Sequence, residues 1–409
     1  MEVSSTCSLP VTSLVWRRTP KMWVQTIVCK ATFDLVPGVA RLSDRQEPLH
    51  DEDQHRGGDP ARSLHVPGDR VPVKARADVL LVGSAFAPDG LPVRSLVARL
   101  GVGDVVKAVE VFGARRWGAD GALHERAPFS SMSLAYERAA GGPDTWNPVG
   151  ITLGAGAGDA AALPNLQPLD QAFARRGDFI APIGFGPLAA TWPLRAHLLG
   201  RHAAFTLAHL RDHPMPEGLD PGYFNAAPPD QQVEELRGDE QLLLENLHRD
   251  HPRLSTRLPG LVPDVRLELH GVPPQKLRMR GDTLWIDTDR ALCTVTWRGQ
   301  VPLQRRDEAG RVVVALATLE EPGGERPTEP RALPSASTVT TQTLVETPLS
   351  PEDAVRTQPL ALTRMASALP FVRPMRTRKE SARPREALAP PPPPVTPALA
   401  PVAHEVPRP

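Results

Sequence analysis

The sequence predicts a mainly β fold, sandwich-like or a distorted barrel, with long ordered loops, few short helices and a disordered proline-rich C-terminal tail. Three observations carry this. Short runs alternating apolar and polar residues recur between Pro, Gly and Asp turns, the pattern of half-buried strands. Proline fills 47 of 409 positions, about twice its usual share, which keeps helix from dominating. Of 19 aromatic residues, 18 precede Pro322, so the core belongs to a scaffold of residues 1–321, one domain or two sub-domains, and the tail is 322–409.

In chain order, Val24–Leu35 places Ile27, Cys29, Ala31, Phe33 and Leu35 on one face and Thr26, Lys30, Thr32 and Asp34 across the pleat, until Pro37-Gly38 stops the run. Val79–Phe86 leads into the turn sequence Pro88-Asp89-Gly90, after which Val93–Leu100 is expected to return as its hairpin partner. Val105–Phe112 follows as a further strand. From Arg115 to Gly200 no period survives, yet Trp117, Phe129, Tyr136, Trp146, Phe173, Phe179, Phe185 and Trp192 are spread through the segment. Aromatic residues at that density predict ordered loops packed on a scaffold. Helix is expected only over Arg195–Arg211, interrupted at Gly200, and over Gln231–Leu236 behind an Asp230 cap. Leu284-Trp285-Ile286, the turn Asp287–Arg290 and Leu292–Trp297 predict a second hairpin, and Arg311–Leu319 a last strand. Beyond Pro322 lie 19 prolines and a single aromatic, Phe371, in 88 residues. Such a tail buries too little to offset its chain entropy, and the run Pro390–Pro394 favours stiff polyproline II.

Charge and cysteine content exclude several function classes. Lys+Arg and Asp+Glu both total 47, which argues against a nucleic-acid partner. The basic residues divide into 41 Arg and 6 Lys; a GC-rich genome accounts for this skew more simply than anion recognition. Cys7, Cys29 and Cys293 are too few and too scattered for a disulfide framework or a zinc knuckle. No stretch has signal-peptide character or reaches the roughly 18 apolar residues of a membrane span, and mean hydropathy is −0.26. The expectation is a cytoplasmic protein without a membrane partner.

Chemistry-bearing groupings are sparse. His197, His202, His209 and His213 include an i, i+4 pair, as zinc ligands often do, but no Glu follows His209 and Pro214 ends the turn. His50, Asp51, Asp53 and His55 could likewise gather a divalent cation, but an Asp-rich loop before Gly57-Gly58 reads more simply as a solvated turn. Gly101-Val102-Gly103 lacks the third glycine of a dinucleotide loop, Gly154, Gly156 and Gly158 lack the Lys-Ser/Thr of a P-loop, and no Gly-x-Ser-x-Gly elbow occurs. Glu137 and Asp144 could pair as the acid and base of a glycosidase, whereas Glu137 beside Arg138 is more simply a structural ion pair. No catalytic, metal or cofactor site is expected.

A series of strings remains: Lys30-Ala31-Thr32-Phe33, Asp78–Ala85, Gly113 with Arg116-Trp117, Pro128-Phe129, Tyr136-Glu137-Arg138-Ala139 before Gly141-Gly142, and Asn147-Pro148-Val149-Gly150. They continue with Leu163-Pro164-Asn165-Leu166, Gly184-Phe185-Gly186-Pro187 before Trp192 and Arg195, Phe224–Pro228 with Asp230-Gln231-Gln232, Gly238-Asp239-Glu240, and Asp282-Thr283-Leu284 before Trp297-Arg298. In this order, over about 300 residues, the chain resembles the bacterial family catalogued as domain of unknown function twenty-one sixty-nine. The resemblance implies a non-catalytic adaptor or chaperone that binds a toxic protein effector and helps load it onto the spike or spike-tip protein of a type VI secretion apparatus. It brings no enzymatic activity and no cofactor. The partner-binding or loop-fixing candidates are Arg116, Trp117, Tyr136, Glu137, Arg138, Trp146, Asn147, Asn165, Trp192 and Arg195, with loop fixing the simpler role for Tyr136-Glu137-Arg138, Asn147 and Asn165. The alternative is a carbohydrate-active or other hydrolytic β-sandwich enzyme working through Glu137. The histidines from His197 to His213 and the tail fall outside the resemblance.

Overall fold

The longer strands follow the alternating runs. In chain order they are β1 (Val11–Thr19), β2 (Met22–Asp34), β3 (Ala77–Val82), β4 (Ser95–Val102), β5 (Val105–Phe112), β6 (Gln241–Glu245), β7 (Arg253–Arg257), β8 (Leu261–Glu268), β9 (Arg280–Asp287), β10 (Leu292–Leu303) and β11 (Arg311–Thr318). The computed structural model describes residues 1–118, 122–153, 162–171, 178–268 and 273–318. The tail expected from Pro322, Phe173 and the glycines 154, 156 and 158 lie outside them.

Three sheets make the scaffold. The central one runs Gln232–Val233, β3, β9, β10, β2, β1, with Arg41–Leu42 added beside β2; its pairs are antiparallel except β3 with β9. The second runs Leu166–Gln167, β5, β4, β6, β7, Gly38–Val39, and the third Glu2–Ser5, β11, β8, Gln275–Leu277. None closes among the described residues, so the mainly β fold is layered and not a barrel. β2 and β10 pair over twelve residues and are long enough to serve two neighbours. Ala31, Phe33 and Val295 join the second sheet's Ala98, Leu100, Val109, Leu242 and Leu244 in the main core. Ile27, Cys29, Val301 and Leu303 pack against Val265, Leu267, Val312 and Val314 of the third sheet. Each fully buried Val, Leu, Ile or Phe among them contributes about 1.5–3 kcal/mol.

The odd-numbered face of β2 is therefore the apolar face that the alternation predicts. The even-numbered face is buried too: Thr26, Lys30 and Thr32 are at most 3% exposed. A layer of loops covers it, and Trp16 and Val24 meet Val71, Leu199, Phe205, Leu210, Tyr223 and Phe224 there.

Other expectations need correction. β4 pairs with β5 and β6, not with Val79–Phe86. That stretch instead splits at Gly83 into β3 in the central sheet and Ser84–Phe86, which pairs with Ser131–Ser133. The turn at Pro88–Gly90 does form; a turn signal reverses the chain without naming its partner. The hairpin β9–β10 forms as expected, with Leu284 opposite Val295. The expected helix over Arg195–Arg211 is reduced to Pro193–Ala196 and two 3₁₀ segments, because Gly200 breaks it at φ 50°. Gln231–Leu236 is not helical: Pro229–Gln231 forms one 3₁₀ turn, Gln232–Val233 joins the central sheet, and Asp230 pairs with Lys107. Trp117, Phe129, Tyr136, Phe185 and Trp192 are buried in the middle segment, while Phe179 is 75% exposed.

Candidate functional site

The loop layer is fastened to the central sheet by a run of buried charges. On β2, Lys30 Nζ donates to Asp69 Oδ2 at 2.5 Å and to Pro48 O at 3.0 Å. Asp69 also accepts the His50 N–H at 2.8 Å. From β10, Arg298 donates to the Asp69 and Val71 carbonyls and to both carboxylate oxygens of Asp282 on β9. Thr283 Oγ1 donates to Asp282 at 3.0 Å and accepts from Lys74 Nζ at 2.7 Å, and Lys74 reaches Asp78 Oδ2 at 2.6 Å. Asp78, at the start of β3, accepts Asn225 Nδ2 and the backbone N–H groups of Ala226 and Ala227. Three ion pairs and the hydrogen bonds around them thus join strands β2, β3, β9 and β10 to two loops.

Burial and pairing compete at Lys30 and Asp78. Burial draws the Lys30 ammonium below its usual range against the opposing pull of Asp69. Burial would raise the Asp78 carboxyl, yet Lys74, the Ala226 N–H and Asn225 together hold it below the usual range. None of the charged members of this run was among the sequence candidates. A signal was present, since Lys30, Asp78, Asn225, Asp282 and Arg298 all lie in the ordered strings, and two of only six lysines, Lys30 and Lys74, sit here.

The sequence candidates build a second fastening. Tyr136 is 1% exposed, donates to Gly186 O at 3.0 Å, and meets Trp146 and Trp192 edge to face at 5.6 and 5.2 Å. Burial pushes its phenol well up. Asn147 Nδ2 ties Tyr136 O to Ala140 O, both at 2.9 Å. Asn165 Nδ2 donates to the carbonyls of Phe112 and Gly113, and its Oδ1 accepts from Arg138. Glu137 does not pair with Arg138: its carboxylate accepts the Ser63 N–H at 2.9 Å and Oγ at 2.7 Å and faces Arg62 at 3.6 Å. Burial would raise this acid; the two Ser63 bonds, with its own backbone N–H and the Arg56 charge, together outweigh that and leave it below its usual range. Arg195 is buried with Nη1 on Leu188 O and Nε and Nη2 on Tyr223 O. Arg116 is exposed on Ala114–Trp117, and Trp117 is buried beside it.

Between these fastenings lies a cavity of about 780 Å³ against the outer edge of β1. Its apolar wall includes Leu14, Trp16, Val71, Leu210 and Phe224, and its rim Asp51, Glu52, Asp53, Arg70 and Arg211. In the β1–β2 register, Lys30 N–H bonds Pro10 O, so even-numbered residues of β1 face β2 and odd-numbered ones face outward. The protein itself meets two outward carbonyls: Arg70 Nη2 donates to Ser13 O and Met215 N–H to Arg17 O. Val15, between them, lines the cavity, and the register turns its N–H and C=O away from β2.

The histidines serve the loops. His209 Nδ1 caps Thr206, His197 Nδ1 lies 3.0 Å from Pro193 O, and His202 Nε2 lies 3.0 Å from Glu217 O. In the other grouping, Asp51 pairs with Arg70 and Asp53 accepts the Gly68 N–H. Among the described residues no cluster of three or more His, Cys, Asp or Glu is placed to hold a metal ion, and no helix is long and apolar enough to cross a membrane.

Fold and site define a layered β protein whose covering loops are pinned to the central sheet by buried charges. The family model described as "uncharacterized protein conserved in bacteria (DUF2169)" matches residues 21–298, and the chain belongs to that family. No curated protein and no solved structure matches the chain.

Proposed function

We propose that the chain is a non-catalytic adaptor, acting in the cytoplasm, that binds a protein effector and helps load it onto the spike or spike-tip protein of a type VI secretion apparatus. The observation that carries this reading is the preformed cavity beside β1. Its apolar wall suits a side chain of an extended segment, and the outward Val15 peptide suits its backbone, the combination used in strand addition. Loops held by buried ion pairs lose little entropy on binding, which favours affinity. The resemblance to effector-loading adaptors, running in order from Lys30 to Arg298, supplies the biological setting. Glu137 suits a general acid poorly, because both its oxygens accept from Ser63 and its carboxyl is drawn below the usual range.

Co-purification with the toxin encoded beside the gene tests the reading, and deleting the gene should abolish delivery of that toxin while the apparatus still secretes. Val15→Pro removes an outward N–H without touching the ladder to β2. Losing one backbone hydrogen bond, about 0.5–1.5 kcal/mol, should weaken toxin binding by up to about tenfold, with circular dichroism unchanged. Trp146→Ala and Arg138→Ala probe the loop knot, their folding checked separately. Failure to retain any neighbouring toxin or spike protein, together with a turnover that vanishes in Glu137→Gln, would favour the hydrolase.

A further inference from the structure

A groove of about 1000 Å³ is lined by residues of the third sheet and of the loop at Glu235–Arg237. Its floor is apolar, formed by Leu236, Val262, Leu277, Met279 and Trp297. Four cations line it, Arg237, Arg266, Lys276 and Arg278, against two lining carboxylates, Glu235 and Asp264, with Asp239 beside Arg237 as a third. The chain as a whole is neutral, so this excess is local.

The heights of the charges matter more than their number. Arg237, Arg266, Lys276 and Arg278 have side chains 70, 65, 79 and 83% exposed, whereas their partners Asp239, Asp264 and Glu235 are 30, 17 and 33% exposed. Asp264 serves both Arg266 and Lys276, at 3.2 and 3.5 Å. The carboxylates lie low and meet each cation at a nitrogen of its head, Arg266 Nε, Lys276 Nζ, Arg278 Nη2 and Arg237 Nη2, while the remainder of each head stands more exposed than its partner. An approaching ligand meets positive charge first. Register places Arg266 opposite Lys276, so both project from the same face of the third sheet, and Gln275–Leu277 is its edge strand.

We propose that this groove docks an extended acidic segment of a partner protein. In an extended chain alternate side chains point to opposite sides, so one set fills the apolar floor while carboxylates between them meet the four exposed cations. The apolar floor and the edge strand favour a peptide over a nucleic acid, which would need a broad basic surface. The inference does not rest on the adaptor reading: the cavity beside β1 and this groove share no lining residue.

The test is fluorescence anisotropy on the full chain. The probe is a short labelled peptide alternating glutamate and leucine, compared with one alternating lysine and leucine and with a single-stranded oligonucleotide of equal length. The acidic peptide should bind saturably at one site, several-fold more weakly as salt rises from about 50 to about 300 mM. Reversing two cations, Arg266→Glu with Lys276→Glu, should weaken it about tenfold or more. Neutralising the opposite rim, Arg237→Gln with Arg278→Gln, should weaken it several-fold, and decides the matter should the reversed variant fail to fold. Equal binding of the lysine peptide, tighter binding of the oligonucleotide, or undiminished binding by a folded rim variant would overturn the proposal. Toxin co-purification with that rim variant separates this groove from the cavity beside β1.

Discussion

Asp78 is fully buried and surrounded by donors from three directions, Lys74, Asn225 and the Ala226–Ala227 backbone. Asp78→Asn keeps the shape and leaves Lys74 buried without its counter-charge, a loss of about 3–5 kcal/mol to be read by chemical denaturation. Its carboxyl is held below the usual 3.8, so the folded state binds this proton less readily than the unfolded one. The stability it supplies is complete above that value and is lost as pH falls through the folded pKa. The wild-type denaturation midpoint should therefore drop in that acid range by more than the variant's. Gly184 is a second sensitive position, because an added Cβ would stand 2.5 Å from Tyr136 Cε1. Trp146, Trp192 and Gly186 O fix that ring, so Gly184→Ala should destabilise by about 1–3 kcal/mol, visible in the melting temperature. The string Gly184-Phe185-Gly186-Pro187 could be seen in the sequence; the ring that forbids a side chain there lies 48 residues earlier at Tyr136 and could not.

β2 carries two codes at once. Its odd-numbered residues follow the plain alternation of an apolar face and were readable directly. Its even-numbered residues read as a solvent face, and Lys30 most of all, yet a loop layer covers them. What makes that possible is local pairing: Thr32 N–H donates to Gln46 Oε1, Thr32 Oγ1 accepts the Glu47 N–H, and Lys30 holds Pro48 and Asp69. Alternation reports polarity and not burial, so a polar face that finds buried partners looks like one that finds water. β9 and β10 were legible because their turn and both strands are contiguous. β3 was paired wrongly because its neighbours, β9 and Gln232–Val233, are remote in sequence. If Lys30 pins this segment, Lys30→Ala should speed hydrogen exchange at the His50 and Asp69 amides, whose bonds depend on Asp69. The Val295 amide, deep in the main core, should keep its protection.

At the scale of the molecule, the apolar clusters supply the stability of the sheets, and the buried charges fix where the loops sit on them. These two contributions are separable. Replacing a buried ion pair with apolar residues of similar size is often neutral or favourable, whereas removing one member is costly. Asp282→Ala alone leaves Arg298 uncompensated among Val71, Asp69 and β9, and should lose about 3–5 kcal/mol. Asp282→Leu combined with Arg298→Met removes both charges and should recover much of that loss. It also removes the donors that hold the Asp69 and Val71 carbonyls, so the loop ending there is released even where the sheet remains stable. The double variant should accordingly unfold near the wild-type denaturant concentration while limited proteolysis cuts between Gln46 and Val71 faster than in wild type. Wild-type protease resistance in the double variant would assign the loop's position to Trp16, Val71 and Phe224 packing alone, and the ion pairs would then be a consequence of the layer and not what holds it.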